Sequence, residues 1–229
     1  IGVSLGANVL SARFYAAGKE REMSETVHTA MTFALISGIV MVFVGLFCTR
    51  GALELMDTPA DVIDQAALYM KIYFCSMPFF MLYNYGAAVL RAVGDTKRPL
   101  LFLIISGAIN AVLNLFLVIA FSMGVAGVAI ATVISNVVSA CMVWRFLMKE
   151  SDPIRLSFRK LKMSKSELVR MLRIGMPAGL QGMVFSIANV CIQAALNGYG
   201  SDAVAGSAVA LNFEYFTYFV ISAFNQTSV

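Results

Sequence analysis

The stretch Leu100-Leu-Phe-Leu-Ile-Ile-Ser106-Gly-Ala-Ile-Asn110-Ala-Val-Leu-Asn114-Leu-Phe-Leu-Val-Ile-Ala-Phe121 holds no charged residue, and its reading decides the fold. Crossing a hydrocarbon core of about 30 Å takes roughly 20 helical residues. This run is that long, and so are His28 to Cys48, Ala66 to Leu90, Val125 to Phe146 and Leu172 to Leu196. A sixth run starts near Ala203 and reaches Val229, while Ile1 to about Ala17 reads as the last turns of a helix. The expected class is all-α: a polytopic membrane helical bundle with about five whole and two partial transmembrane helices. Both ends read as cut, so the chain is expected to be a piece of a longer protein.

Composition agrees. Of the 229 residues, 59% are hydrophobic and 13% charged, against roughly 25% charged in soluble domains. A water-soluble surface is not built from that. The net charge of +4 does not indicate nucleic acid, because the cations sit in short segments between apolar runs. Cys48, Cys75, Cys141 and Cys191 lie in or beside apolar segments without CxxC spacing, and read as buried packing thiols. The lone histidine, His28, has no second ligand at metal spacing and reads as an interfacial polar residue. No cofactor or metal is expected.

The connections alternate in charge. Arg13 to Glu25, Arg91 to Pro99 and Arg145 to Arg173 carry 15 of the 17 Lys and Arg. Thr49 to Asp64 is acidic, Ser122 to Gly124 is a tight turn, and Gly198 to Asp202 has no cation. Cytoplasmic loops are enriched in Lys and Arg, so the basic connections are placed inside. The stretch from Lys149 to Lys165 has two readings, a solvated charged face or a linker joining two helical bundles along the anionic inner leaflet. Glu167 to Ile174 is amphipathic and reads as an interfacial lead into the next span.

Polar residues recur at helical spacing inside the spans: Ser106, Asn110 and Asn114; Thr132, Ser135 or Asn136, and Ser139; Ser186, Asn189, Gln193 and Asn197. An unsatisfied amide in hydrocarbon costs several kcal/mol, so each stripe must face protein or water. Interhelical hydrogen bonding and a water-filled transport cavity both account for this. Pro78 and Pro177 lie inside or at the mouth of spans, where they kink helices. Glu214 follows Ala203 by 11 residues, about 16 Å of helix, near the bilayer midplane. It shares a face with Ser207, Thr217 or Tyr218, and Asn225. Acids at that depth are functional candidates by default.

Several motifs then become recognisable. Met56-Asp57-Thr58-Pro59, Met77-Pro78-Phe79, Tyr83-Asn84, Leu90-Arg91-Ala-Val-Gly94-Asp95-Thr96-Lys97-Arg98-Pro99, Gly124-Val-Ala-Gly127, Gly175-Met-Pro177 and Ala210-Leu-Asn212 with Glu214 are similar to the multidrug and toxic compound extrusion (MATE) family. The resemblance covers essentially the whole chain, and Leu90 to Pro99 is its most specific part. In that part Gly94-Asp95 turns the chain, Thr96 is placed to cap the next helix, and Pro99 is tolerated in its first turn.

The resemblance implies a twelve-helix, two-lobe transporter. It would export drugs or organic cations, small amphipathic or cationic molecules, by alternating access, coupled to H⁺ or Na⁺. It would be a monomer in the lipid bilayer of the cell (inner) membrane, with no nucleic-acid partner. Residues 1–148 would be the N-terminal lobe from late helix 2 to helix 6, 149–166 the cytoplasmic inter-lobe linker, and 167–229 helix 7 and part of helix 8. Helix 1, where many members place a coupling aspartate, lies outside this sequence on that map. Some members carry an acid after the proline matching Pro177, whereas here Met183-Val-Phe185-Ser186 follows. Glu214 remains as the candidate acid, and the coupling-ion or substrate-binding set is Glu214, Asn189, Gln193, Ser186, Tyr218, Asn84, Asn110 and Asn114.

The alternative is a lipid-linked oligosaccharide flippase of the same superfamily, whose cavity tends to be more cationic. No whole span has a Lys or Arg at its centre, which favours the exporter. An enzyme would need paired acids, or His and Glu at metal spacing, within the spans; none is found.

Overall fold

The structure is a computed structural model that describes residues 2–150, 153–157 and 161–227, with side chains to residue 221. Arg159, Lys160 and the Asn225 side chain fall outside the described residues. Every regular element among them is helical: α1 Gly2–Ala16, α2 Glu20–Leu55, α3 Ile63–Phe74, α4 Met77–Ala92, α5 Lys97–Leu115, α6 Gly124–Lys149, α7 Lys165–Asn197 and α8 Ser201–Thr227. A π-helical turn, Phe116–Ala120, extends α5.

Five helices are long and apolar enough to span: α2, α5 with its π turn, α6, α7 and α8 through Ile221. At 36 residues, α2 is about 54 Å long, well beyond the hydrocarbon core. Its charged first turn, Glu20 and Glu22, and its Arg50 and Glu54 therefore reach past the apolar layer.

The expected span from Ala66 to Leu90 is broken. α3 and α4 meet at 49° across Cys75 and Ser76, just before Pro78. Proline lacks an N–H and its ring crowds the preceding turn, so the kink is local to it. The break is tied down chemically: the Ser76 hydroxyl donates to Tyr73 O at 2.7 Å, and Asn136 Nδ2 of α6 donates to Ser76 Oγ at 3.0 Å. It is also seated sterically on α2. A Cβ built at Gly38 would fall on the Pro78 backbone, and one at Gly45 on the Phe74 side chain.

The buried core sits at one end. It joins Leu10 and Phe14 of α1, Met23, Val27 and Met31 of α2, Tyr85, Val89 and Leu90 of α4, and Val143 and Leu147 of α6. Ile154 and Leu156 of the long connection enter the same core, and Leu156 N donates to Leu147 O at 2.8 Å. The described part of that connection is thus packed rather than merely solvated. All three basic connections meet at this end, while Asn197 at the end of α7 donates to Met56 O at the opposite end. The charge alternation read from the sequence therefore corresponds to two physical ends of the bundle.

Away from the core, large apolar side chains are exposed, among them Phe43, Phe47, Ile119, Phe185 and Phe213. In water such a surface would aggregate; in lipid it is solvated. The four cysteines lie on this outer surface too, free and exposed, which corrects the expectation that they are buried. A thiol is apolar enough for either environment.

α1 and α7 pack at backbone distance. A Cβ at Gly2 would strike the Gly179 backbone, and one at Gly6 the Met171 carbonyl. Small residues at such crossings let the helices approach closely.

Candidate transport site and the clamp at the basic end

The α5 and α6 stripes meet. Asn110 Nδ2 lies 3.5 Å from Thr132 Oγ1 and 3.4 Å from Ser135 Oγ, and Asn114 Nδ2 donates to Asn110 Oδ1 at 3.1 Å. With the Asn136–Ser76 bond, these pairs form a polar seam along α6 towards the α3–α4 break. Most of its capacity is spent between helices, but the buried Asn114 Oδ1 has no hydrogen-bond partner. An amide held at one end and open at the other suits ion or substrate ligation as well as helix contact.

Asn84 does not join the seam; its amide donates to Phe80 O of its own helix at 2.8 Å. Along α7, Ser186 donates to Gly182 O, Asn189 is exposed, and Gln193 donates to Asn197 Oδ1 at 3.0 Å. Gln193 and Asn197 therefore tie the end of α7 to the α2–α3 connection at Met56. On α8, Glu214 and Tyr218 are exposed, Tyr218 stands edge-on to Phe219, and Thr217 donates to Phe213 O. No hydrogen bond joins Glu214 to another described residue. The chain thus presents two polar surfaces, a closed seam on α5–α6 and an open face on α7–α8. No group of three metal-ligating side chains occurs among the described residues.

The most specific motif proves to be a clamp. Gly94 has φ +87°, a left-handed turn that glycine adopts without strain. Asp95 Oδ1 accepts from Arg98 N at 3.2 Å and Oδ2 from the Arg98 guanidinium at 3.1 Å. Thr96, expected to cap α5, makes no side-chain cap bond; Asp95 fills that role because a carboxylate also pairs with Arg98. Arg98 then lies 4.3 Å from the Phe146 ring centroid and 3.7 Å from Glu150. Tyr83 Oη donates to Pro99 O at 2.9 Å. The motif thus fastens α4, α5 and α6 at the basic end.

His28 is a second residue whose role differs from expectation. It lies within α2, 2% exposed, rather than at an interface. Its Nδ1 bonds Ser24 O at 2.7 Å and its Nε2 accepts from Ser157 N at 3.1 Å, which requires the neutral ring with hydrogen on Nδ1. Beside it, Thr29 Oγ1 accepts from Ser164 N at 3.0 Å. Nothing in the spacing signalled this, because the partners lie some 130 residues away.

Helices long and apolar enough to cross a bilayer, a polar seam between α5 and α6 and a proline-broken helix define a multi-pass membrane protein. Comparison then places it. The MatE family model matches residues 1–116, half of the chain, and the chain belongs to that family. It is 35% identical over 216 residues to the "Probable multidrug resistance protein YoeA" of Bacillus subtilis, covering 91% of this chain and 47% of that one. It is 26% identical to the "Multidrug export protein MepA" of Staphylococcus saprophyticus, covering 82% and 42%. Among solved structures it superposes on an inward-facing multidrug resistance MATE transporter of the MOP superfamily with TM-score 0.82 at 22% identity, covering 92% of this chain and 49% of that one. An outward-facing one gives 0.76 at 24% identity, covering 82% and 42%. The chain spans about half the length of the relatives it matches. It is a multi-pass protein of the cell membrane.

Proposed function

We propose that the chain forms part of a cation-coupled antiporter that exports drugs or organic cations by alternating access, driven by H⁺ or Na⁺, and that acts as a monomer. Residues 1–148 belong to its first lobe, 149–166 to the connection, and 167–229 open the second lobe. The observation that carries the reading is Glu214, a carboxylate 11 residues beyond Ala203 in the apolar helix α8 of a MatE-family chain. The multidrug names of its relatives YoeA and MepA support the substrate class.

In this reading Glu214 binds the coupling cation or a cationic substrate. Tyr218 on the same helix, and Ser186, Asn189 and Gln193 on α7, supply dipoles to the cavity. Asn110 and Asn114 present the opposing seam, and Asn84 adds a polar group on α4. A carboxylate within the span of an apolar helix attracts a cation strongly where water is scarce.

The test is Glu214→Gln in a full-length transporter carrying this chain, which keeps the shape and removes the charge. Gradient-driven efflux of a cationic dye is expected to fall at least tenfold with normal protein abundance in the membrane. Wild-type efflux with wild-type pH and Na⁺ dependence would remove Glu214 from the mechanism.

A further inference from the structure

At the basic end, between α1 and α7, the structure holds a cavity of about 550 Å³. Four cations line it: Arg13 of α1, Lys19 of the α1–α2 turn, and Arg170 and Arg173 of α7. Its floor is apolar, with Leu10 and Phe14 of the buried core. The cations are only partly neutralised. Arg170 pairs with Glu167 at 3.1 Å and Lys19 lies 4.0 Å from Glu22. Arg13 and Arg173 have no carboxylate partner among the described residues.

Four like charges around one cavity repel one another, so the arrangement favours whatever anion neutralises it. Depth selects the kind of anion. Arg173 follows Lys165 by eight residues, roughly 12 Å along α7, near the start of the Leu172 to Leu196 run, and no charged residue follows it in that run. The cavity therefore sits at headgroup level, and its basic surroundings belong on the cytoplasmic side. A cationic rim over an apolar floor fits a phosphodiester with attached acyl chains better than a hydrated free phosphate, and basic pockets between helices on this side are where anionic headgroups dock.

We infer that the α1–α7 cavity is a binding site for an anionic phospholipid of the inner leaflet, its phosphate held by Arg13 and Arg173 with help from Lys19 and Arg170. The lipid bridges α1 and α7, so it acts as a charge-neutralising pin between them. This site is separate from Glu214 and from the transport reading; it needs only the membrane placement and the orientation.

The experiment uses the full-length protein, purified and delipidated, with phosphatidylglycerol and phosphatidylcholine titrated in mixed micelles and bound lipid read by native mass spectrometry. Wild type is expected to retain phosphatidylglycerol over phosphatidylcholine. Arg13→Gln with Arg173→Gln should weaken phosphatidylglycerol retention about thirtyfold, the loss of two surface cations. Arg13→Lys with Arg173→Lys should retain binding, and controls for folding. Arg50→Gln, a cation at the opposite end, should change nothing. The inference is overturned if the double Gln variant binds phosphatidylglycerol as wild type does, or if the lysine variant folds but loses it. It is also overturned if glycerol 3-phosphate displaces the lipid at equal concentration, which would identify a site for soluble phosphates.

Discussion

Gly38→Ala on α2 tests the seating of the broken helix. The added Cβ would stand 2.8 Å from Pro78 N and closer still to Pro78 Cα, where carbon contacts normally lie at about 3.5–4.0 Å. The obstacle is backbone pinned by a proline, so relief requires α2 and α4 to part by about 1 Å. Overpacking of this kind costs about 1–3 kcal/mol. Alanine also favours helix over glycine by up to about 1 kcal/mol, which opposes the clash and must be removed from the comparison. Gly51 on the same helix does so, because nothing lies within 4 Å of a Cβ built there. Gly51→Ala is expected to be neutral or slightly stabilising, so the two variants should differ by about 1–3 kcal/mol. The assay is reversible unfolding of the full-length protein in mixed detergent, read by tryptophan fluorescence and helical circular dichroism. Equal stability of Gly38→Ala and Gly51→Ala would refute the claim that the α3–α4 break is wedged against α2.

Three further outcomes follow from the same geometry. Asn136→Leu removes the bond to Ser76 and should cost about 1 kcal/mol, the usual scale of an interhelical hydrogen bond in a membrane; a double-mutant cycle with Ser76→Ala should show the two losses to be coupled rather than additive. His28→Leu leaves the Ser157 N–H without its acceptor, so trypsin should cut after Arg155 several-fold faster in the native protein, as followed by gel; unchanged cleavage would mean that the bond does not hold the segment. In a background lacking all four exposed cysteines, a cysteine at Thr96 should react with an impermeant thiol reagent only from the cytoplasmic side and one at Asp61 only from outside; the reverse pattern would invert the topology.

The membrane-spanning class was legible because hydrocarbon imposes a rule that composition cannot evade: a run such as Leu100 to Phe121 has no other stable solvent. The alternation of cations was legible for a similar reason, since Lys and Arg distribute by side of the membrane rather than by contact. The Asn110–Asn114 stripe pointed correctly to a polar surface, because spacing alone places side chains on one helix face. Spacing does not say what that face meets. Thr132 and Ser135 were identifiable as a stripe, yet their pairing with Asn110 depends on how α5 crosses α6. The Asp95–Arg98–Glu150 clamp was hidden further: Asp95 and Arg98 are neighbours in sequence, but Glu150 arrives through the fold. Ile154 and Leu156 were read within a charged segment because their neighbours are cations, while their burial depends on a groove between distant helices. Glu214 was visible from depth alone, and what surrounds it was not.

The bonds at His28 and Thr29 have a geometric consequence. Ser157 and Ser164, seven positions apart, are held by adjacent residues of one helix. Ser157 and Ser164 therefore meet α2 at the same spot, and while both bonds persist the residue just before α7 is held there. The beginning of α7 travels with α2 as one body. Any swing of the later part of α7 relative to the first six helices must then be taken up inside α7 itself. Pro177 withholds an N–H there, and Gly175 crosses the α1 backbone within 3 Å of where a Cβ would stand. The pivot would thus lie within a transmembrane helix, at a depth where the surrounding lipid, rather than water, resists its bending.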